Sequence, residues 1–549
     1  MKDRSVPQYA ASHQQWLQQL DGALRTQGLQ AASRVALQAL ADGMEHPAVL
    51  NLAAQALFGE GRFDQAVELL ERARKLAPDD PHVLNSLGVC LAEVGRSDDA
   101  LRAYKAAIRA DPDMAPPHFN LGSLLESLND VLGAKRAYER AAELDPNYPD
   151  PLAALAWLAA LAGDTAAATS NGERALSLSS SSQLARMALA SADLQRANIE
   201  GAAAGLAALI QDPALTQVNR AIVLGLIGDL HDADGHPREA VAAYAASSEA
   251  LKQLNAPIFE AVGKESALEQ VRRLTRWFDT ADAESWRESP PARSRAADPK
   301  AHVFLVGFPR SGTTLLENVL AAHADVVSLE EKDCFAPGSA AYLAEPAGLE
   351  RLAEIALRDA VREREHYWSA VRRNGIEPRG KVFIDKMPLS SVALPVIAKL
   401  FPNARILFAL RDPRDVVLSC FRRRFGMNPS MYELLTLEGA ATFYDAVMRL
   451  CERYRELLPL PHQFVRYESL VDNFEATTRE VCAFVGIDWD PTMADFAAKA
   501  RMRGISTPSA AQVARGLNRE GQGAWRRYRD QIAPVLPLLE PWVRRFGFD

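Results

Sequence analysis

The sequence predicts an α-helical solenoid followed by an α/β domain with a parallel sheet and a P-loop-like phosphate-binding loop. Three observations carry that expectation. Pro78, Pro112 and Pro146 fall 34 residues apart, with small and large apolar residues at matching places between them. A short apolar run, His302–Gly307, leads into Gly-Phe-Pro-Arg-Ser-Gly-Thr-Thr (307–314) and then an apolar helical stretch from Leu315. Further strand-like runs alternate with helical segments downstream, as parallel α/β architecture requires.

Composition sets the outer bounds. The 549 residues are 48% hydrophobic and 24% charged, with a mean hydropathy of −0.14, which is globular and excludes a largely disordered chain. The longest apolar stretch, Leu152–Ala162, is too short for a membrane helix, and the first twenty residues lack an apolar h-region, so neither a signal peptide nor a membrane anchor is expected. Cys90, Cys334, Cys420, Cys451 and Cys482 form no CxxC and are too scattered for a zinc site or disulfide framework, which points to a reducing cytoplasm and no metal. Residues 1–300 carry 29 Lys+Arg against 39 Asp+Glu, and residues 301–549 carry 33 against 31. An acidic first half beside a near-neutral second half argues against general nucleic-acid binding and is compatible with a local anion site.

In the repeat region, Leu87-Gly88, Leu91, Ala100, Tyr104 and Ala107 are matched by Leu121-Gly122, Leu125, Ala134, Tyr138 and Ala141. Small residues let paired helices approach, a large one fills the gap, and proline breaks the chain before the next unit. Residues 47–80 and 149–182 fit less fully. A later unit carries Gly228, Ala240 and Tyr244 four residues out of phase, so one longer, divergent repeat is expected over residues 183–220. The region resembles the tetratricopeptide family. Asn51 and Asn85 recur at the repeat period and Asn120 one residue later. They form either a ladder that hydrogen-bonds an extended peptide or a set of solvated and capping side chains. The expected division is residues 1–254 as repeat solenoid, 255–300 as helical segment and linker, and 301–549 as the domain that carries the chemistry.

The octet 307–314 places a glycine-containing turn between a strand and a helix N-terminus, where free backbone N–H groups and the positive helix end converge. Its spacing is that of a Walker A loop, with Thr313 where the lysine belongs. That lysine reaches β- and γ-phosphates, so its absence argues against ATP or GTP and favours a ligand with a single 5′-phosphate group. Further strands are expected at Lys381–Asp385, Arg405–Leu410 and Gln463–Tyr467.

PRSGTTLL (309–316), RDPRDVVLS (411–419), RYESLV (466–471) and the GxWxxY stretch at 523–528 together resemble sulfotransferases that use 3′-phosphoadenosine-5′-phosphosulfate (PAPS). The nearest subgroup is the protein-tyrosine sulfotransferases, with bacterial proteins that join such a domain to tetratricopeptide repeats. The resemblance implies that Arg310, Ser311, Gly312, Thr313 and Thr314 surround the 5′-phosphosulfate. It implies that Arg411, Ser419 and Arg423 hold the 3′-phosphate, the last two on one helix face through their i to i+4 spacing. Tyr467 matches a cofactor-contacting tyrosine. Lys386 matches the family's catalytic lysine, paired with Arg310 as a charge clamp, and Ser509 the serine that orients the transferring group. No histidine follows Lys386, and Glu331 matches the catalytic base of the tyrosine-specific subgroup. The other readings are a surface ion pair between Arg411 and Asp412 or Asp415, and solvated acids at Glu330 and Glu331.

The chain also departs from the pattern. Ala524 stands where the family has a basic residue against the cofactor phosphate, and Gly523 where the tyrosine-specific enzymes have serine. Asp333 and Pro337 occupy two positions at which basic residues hold acidic peptides. The expected function is transfer of the PAPS sulfuryl group to a hydroxyl acceptor (a tyrosine, glycan or phenol), with the repeats recruiting a protein or peptide. The competing readings are a carbohydrate or small-molecule sulfotransferase, and a repeat scaffold that binds nucleotide and turns over weakly.

Overall fold

The computed structural model describes residues 6–287, 289–290, 298–335, 341–503, 512–513 and 515–548. The chain divides into two compact units, Met1–Ala159 with Ala166–Ala188, and Ala160–Thr165 with Leu189–Asp549.

The first unit is a helical solenoid built from helix pairs such as Pro81–Glu93 with Ser97–Ala110, and Ala115–Ser127 with Val131–Leu144. Proline opens several helices at a position where its missing N–H is not needed; Pro81 follows Asp80, whose carboxylate caps the N–H groups of His82 and Val83 at 2.9 and 3.2 Å. The glycine–tyrosine pairing is steric. A Cβ on Gly88 would meet the Tyr104 ring at 2.5 Å, and one on Gly122 the Tyr138 ring at 2.6 Å. Each missing side chain is thus the space its partner ring occupies. Asn120 donates to Asn85 Oδ1 at 2.9 Å, and Asn51 is buried. The ladder side chains therefore bond in part to one another.

Helix starts at Pro81, Ala115, Pro149, Gln183 and Gln217 all keep the 34-residue period. The divergent repeat expected over residues 183–220 is therefore absent: that stretch holds an ordinary pair, Gln183–Gln195 and Ile199–Ile210. The four extra residues lie inside Gln217–Ala233, which runs 17 residues where its counterparts run 13. Four residues are about one helical turn, so Gly228 still meets Tyr244, one turn further along.

The second unit contains a five-stranded sheet, all parallel, in the order β2-β3-β1-β4-β5, with β1 Ala301–Gly307, β2 Val326–Glu330, β3 Val382–Lys386, β4 Arg405–Leu410 and β5 His462–Arg466. Along β1, Phe304 and Val306 face one core and Val303 and Leu305 the other, the alternation expected of a strand buried on both sides. The first core draws on residues well before the sheet: Tyr244, Val271, Leu274, Phe278 and Trp286 pack in the same cluster as Phe304 and Phe408. They come from the helices Pro237–Phe259, Ala267–Thr280 and Ala283–Arg287.

Strand β2 has no counterpart in the sequence expectation. It is a short edge strand, only partly buried, so it lacks the continuous apolar run that marks the central strands. Tyr467, expected at the end of a strand, opens the helix Tyr467–Asp472 instead. Among the described residues no helix is long and apolar enough to cross a membrane.

Candidate functional site

The strand order makes β1 the switch point of the sheet, with β3 and β2 on one side and β4 and β5 on the other. In open parallel sheets the crevice beyond the carboxyl ends of the strands at such a point is where ligands are taken. Gly307 ends β1 opposite Ala409 of β4. A Cβ on Gly307 would lie 2.7 Å from the Ala409 carbonyl oxygen and 2.8 Å from Ser311 Oγ, so the turn is closed tightly against its neighbour strand. Arg310 (φ 69°) and Gly312 (φ 101°) both take left-handed backbone conformations. A residue of this kind other than glycine carries strain that the surroundings must offset. Gly312 then caps the helix Thr313–Ala321, whose first-turn residues Thr313 and Thr314 are buried.

Arg310 is 9% exposed. Its Nε donates to Ser419 Oγ at 3.0 Å and its Nη2 to Gln512 Oε1 at 2.8 Å. Arg411, at the end of β4, donates to the Arg310 carbonyl at 3.0 Å and to the Gly521 carbonyl, and its guanidinium lies 5.1 Å from the Tyr467 ring centre. Its ion pair with Asp412 or Asp415 is not formed among the described residues. Asp412 is taken by Arg414 at 2.8 Å, and Asp415 accepts from the Gly523 and Trp525 N–H groups at 2.7 and 2.8 Å. Burial, joined by the like charges of Arg423 and Arg411, pushes the Arg310 guanidinium down to about 9. Three cations thus converge on one turn, where Ser311 Oγ and Arg411 Nε are buried without a hydrogen-bond partner. A multiply charged anion fits that arrangement: it would relieve the repulsion and use the unpartnered donors.

The expected helix face shared by Ser419 and Arg423 is not realised. The helix Pro413–Phe421 stops short of Arg423, whose N–H bonds to the Cys420 carbonyl at 3.1 Å. A turn, not a helix, sets Arg423 within electrostatic reach of Arg310.

On the other side of β1 the charges invert. Lys386, the last residue of β3, pairs in register with Leu305 of β1 and Glu330 of β2. It is fully buried, with its Nζ 2.7 Å from Glu331, 3.5 Å from Glu317 and 3.6 Å from Glu330. Burial disfavours the ammonium, but the carboxylates of Glu331, Glu317 and Glu330 together hold its pKa above the usual lysine value. Adjacent side chains on an extended segment point opposite ways, but Glu330 and Glu331 do not. Glu331 has φ 45°, its N–H bonds to the Lys386 carbonyl at 2.8 Å, and the chain bends so that both acids reach the same ammonium. Beneath them, Asp385 accepts from Tyr367 Oη at 2.6 Å, and His302 Nε2 lies 2.9 Å from the same oxygen. Burial pushes the Asp385 carboxyl up to about 7 and His302 down to about 3.

The structure therefore brings Arg310, Ser311, Gly312, Thr313, Thr314, Arg411, Ser419, Arg423 and Tyr467 to one side of the β1 turn, and Lys386 and Glu331 to the other. Ser509 and Pro337 lie outside the described residues. Glu317 and Gln512 escaped the sequence reading. For Glu317 the signal was a lone acid in the apolar run Leu315–Leu320; Gln512 had none. Of the basic neighbours of Ala524, Arg527 pairs with Asp232 at 3.1 Å and Arg526 lies 5.4 Å from the Trp525 ring centre.

Comparison with known proteins agrees with this architecture. Residues 302–491 match the family model described as "Sulfotransferase family". Residues 17–81, 51–115 and 115–148 match tetratricopeptide-repeat models. An uncharacterized protein of Aquifex aeolicus is 25% identical over 269 residues, 46% of this chain and 34% of the relative, so the chain spans about a third of that relative's length. Protein-tyrosine sulfotransferase 1 of Danio rerio is 28% identical over 266 residues, 45% of this chain and 72% of the relative. A tetratricopeptide repeat protein from Parabacteroides merdae of known structure is 14% identical, with a TM-score of 0.33, covering 44% of this chain and 93% of its own. The chain joins a helical repeat array to a parallel α/β domain. The repeats are tetratricopeptide repeats, and the α/β domain is a sulfotransferase-family domain.

Proposed function

We propose that the protein transfers the sulfuryl group of PAPS to a hydroxyl acceptor, with residues 301–549 carrying the chemistry and the repeats of residues 1–254 recruiting the acceptor or a partner protein in the cytoplasm. The observation that carries the reading is the inversion of charge across the end of β1: three arginines on one side, a lysine among three carboxylates on the other. Bound PAPS would supply a sulfuryl group on a phosphate leaving group. The N–H groups at the Thr313 helix end, with Ser311, Gly312, Thr313 and Thr314, would hold the 5′-phosphosulfate. Arg411, Ser419 and Arg423 would hold the 3′-phosphate, and Tyr467 would border the nucleotide. Arg310 and Lys386 would stabilise charge on the departing phosphate, Ser509 would orient the transferring group, and Glu331 would take the acceptor's proton. No metal enters this scheme.

The relatives support a hydroxyl such as tyrosine. Asp333, exposed close behind Glu331, argues against an acidic peptide and keeps glycans and phenols in the acceptor class. Ala524 favours the second reading, a scaffold that binds nucleotide and turns over weakly. A screen with labelled PAPS against peptides, glycans and phenols separates the two: label transfer to any of them supports the enzyme, and binding without transfer supports the scaffold. In the same protein, Arg411→Ala should weaken adenosine 3′,5′-bisphosphate by about 1.5–3 kcal/mol, the scale of a charge-assisted hydrogen bond. Equal calorimetric affinity for AMP and the bisphosphate would remove the 3′-phosphate assignment.

A further inference from the structure

We propose that Asp229 and Asp232, on the helix Gln217–Ala233, are positioning residues for the nucleotide site, fixing the arginine run 422–424 so that Arg423 faces the phosphate. The proposal rests on the reading of Arg423 as a 3′-phosphate ligand. Three consecutive arginines repel one another, and nothing in their own sequence decides which way each turns.

The outer two are tied down by helices that come from the repeat end of the sequence. Arg422 pairs with Asp232 and lies between two rings, its guanidinium 5.4 Å from the Tyr244 centre and 5.3 Å from that of Tyr528. Tyr528 Oη donates to the same Asp232 carboxylate at 2.5 Å, and Arg527 joins it at 3.1 Å. Arg424 pairs with Asp229 at 3.2 Å, and Tyr244 Oη donates to the other Asp229 oxygen at 2.8 Å. Arg424 also occupies the space over Gly225, where a Cβ would run into its guanidinium. Burial works against the Asp229 charge, but Arg424, Arg423 and Arg422 outweigh it and hold its pKa below the ordinary carboxylate value.

The geometry has a clear consequence. With both flanks pinned, the turn at Arg423 has little freedom, and its charge acts on Arg310 as well as on Asp229. A bidentate guanidinium gains most when its orientation is settled before the ligand arrives. The added turn in Gln217–Ala233 belongs to the same device. It displaces Gly228 and Asp229 by four residues from the places that the repeat period would give them.

The test uses the full-length protein, with thermal unfolding run beside calorimetry. Asp229→Asn with Asp232→Asn should lower affinity for adenosine 3′,5′-bisphosphate about tenfold, part of the roughly 10- to 150-fold expected when a whole charge-assisted contact is lost. Affinity for AMP should stay within about twofold, and Asp232→Glu should largely restore the bisphosphate. Gly225→Ala is a second variant that leaves every charge in place and a good helix former in the helix. It must displace Arg424, so it should show the same selective loss. Wild-type protein that prefers the bisphosphate, an Arg423→Ala variant that has lost the preference, and an Asn double variant that keeps it would overturn the proposal alone. Wild-type protein that binds both nucleotides alike would remove the 3′-phosphate reading, and this proposal with it.

Discussion

Cutting the chain at residue 290, just before the sheet, should destroy the α/β domain and not merely release it. Phe278 and Trp286 are fully buried in the core that also holds Phe304 and Phe408, with Leu274 beside them. Losing such aromatic side chains costs about 3–5 kcal/mol each and a leucine about 2–5. These three together are worth about 8–15 kcal/mol, the whole stability of an ordinary domain. Polar contacts add to the loss. Lys399 is 2% exposed, donates to the Ser285 carbonyl at 2.6 Å and lies 5.2 Å from the Trp286 ring centre; the cut removes these two contacts from a buried ammonium. A fragment of residues 199–549 keeps these groups and should melt cooperatively, while one of residues 290–549 should show no cooperative transition. Circular dichroism melts and near-ultraviolet spectra of the two fragments make the comparison. A 290–549 fragment melting within a few degrees of the longer one would refute the packing argument.

Two more outcomes follow from the site. Glu331→Gln should lower turnover by about 10²–10⁴-fold, the weight of general-base catalysis, with bisphosphate affinity changed by no more than a few fold; a full-rate Glu331→Gln enzyme beside a dead Glu330→Gln enzyme would reverse the assignment. Asp385 is held neutral by burial, with a folded-state pKa of about 7. Over the window from its unfolded value near 4 up to about 7 the folded state binds the extra proton, so its contribution to stability falls as pH rises. The melting temperature of Asp385→Asn relative to wild type should therefore climb between pH 5 and pH 8, and a constant difference would show that the carboxyl is already ionised at the lower pH.

What the sequence disclosed follows from how local each signal is. The glycine turn, the strand before it and the helix after it are contiguous, so residues 302–320 were legible as a unit. Gly88 and Tyr104 were legible because the repeat prints the same pair again at Gly122 and Tyr138. Strand β2 was not, since Val326–Glu330 shows neither a continuous apolar run nor a strict alternation of apolar and polar residues. Nor was the true place of the four-residue slip: a turn added inside a helix leaves the apolar period intact, and only the helix ends reveal it. The convergence of Glu317, Glu330 and Glu331 on Lys386 depends on sheet order and on one left-handed backbone angle, neither of which neighbouring residues encode. The dependence of the sheet's core on Phe278 and Trp286 is hidden for the same reason, because both fall in residues 255–300, the stretch expected to be helical segment and linker.

The layout of charge also explains why the two halves of the proposed reaction need opposite surroundings within one crevice. In sulfuryl transfer, negative charge grows on the departing phosphate while a proton leaves the acceptor hydroxyl. Arg310, Arg411 and Arg423 repel one another until an anion joins them, so growing negative charge on that side is favoured. Lys386 faces the opposite demand. Alone in a fully buried position it would tend to lose its proton, and a neutral amine could not stabilise the transferring group. Glu331 offsets that tendency, but a base that takes a proton loses its own charge at the moment when Lys386 needs a counterion. Glu317 and Glu330, 3.5 and 3.6 Å from the ammonium, are further partners that stay beside the lysine through that step. In this scheme the surplus carboxylates are what allow one glutamate to act as the base.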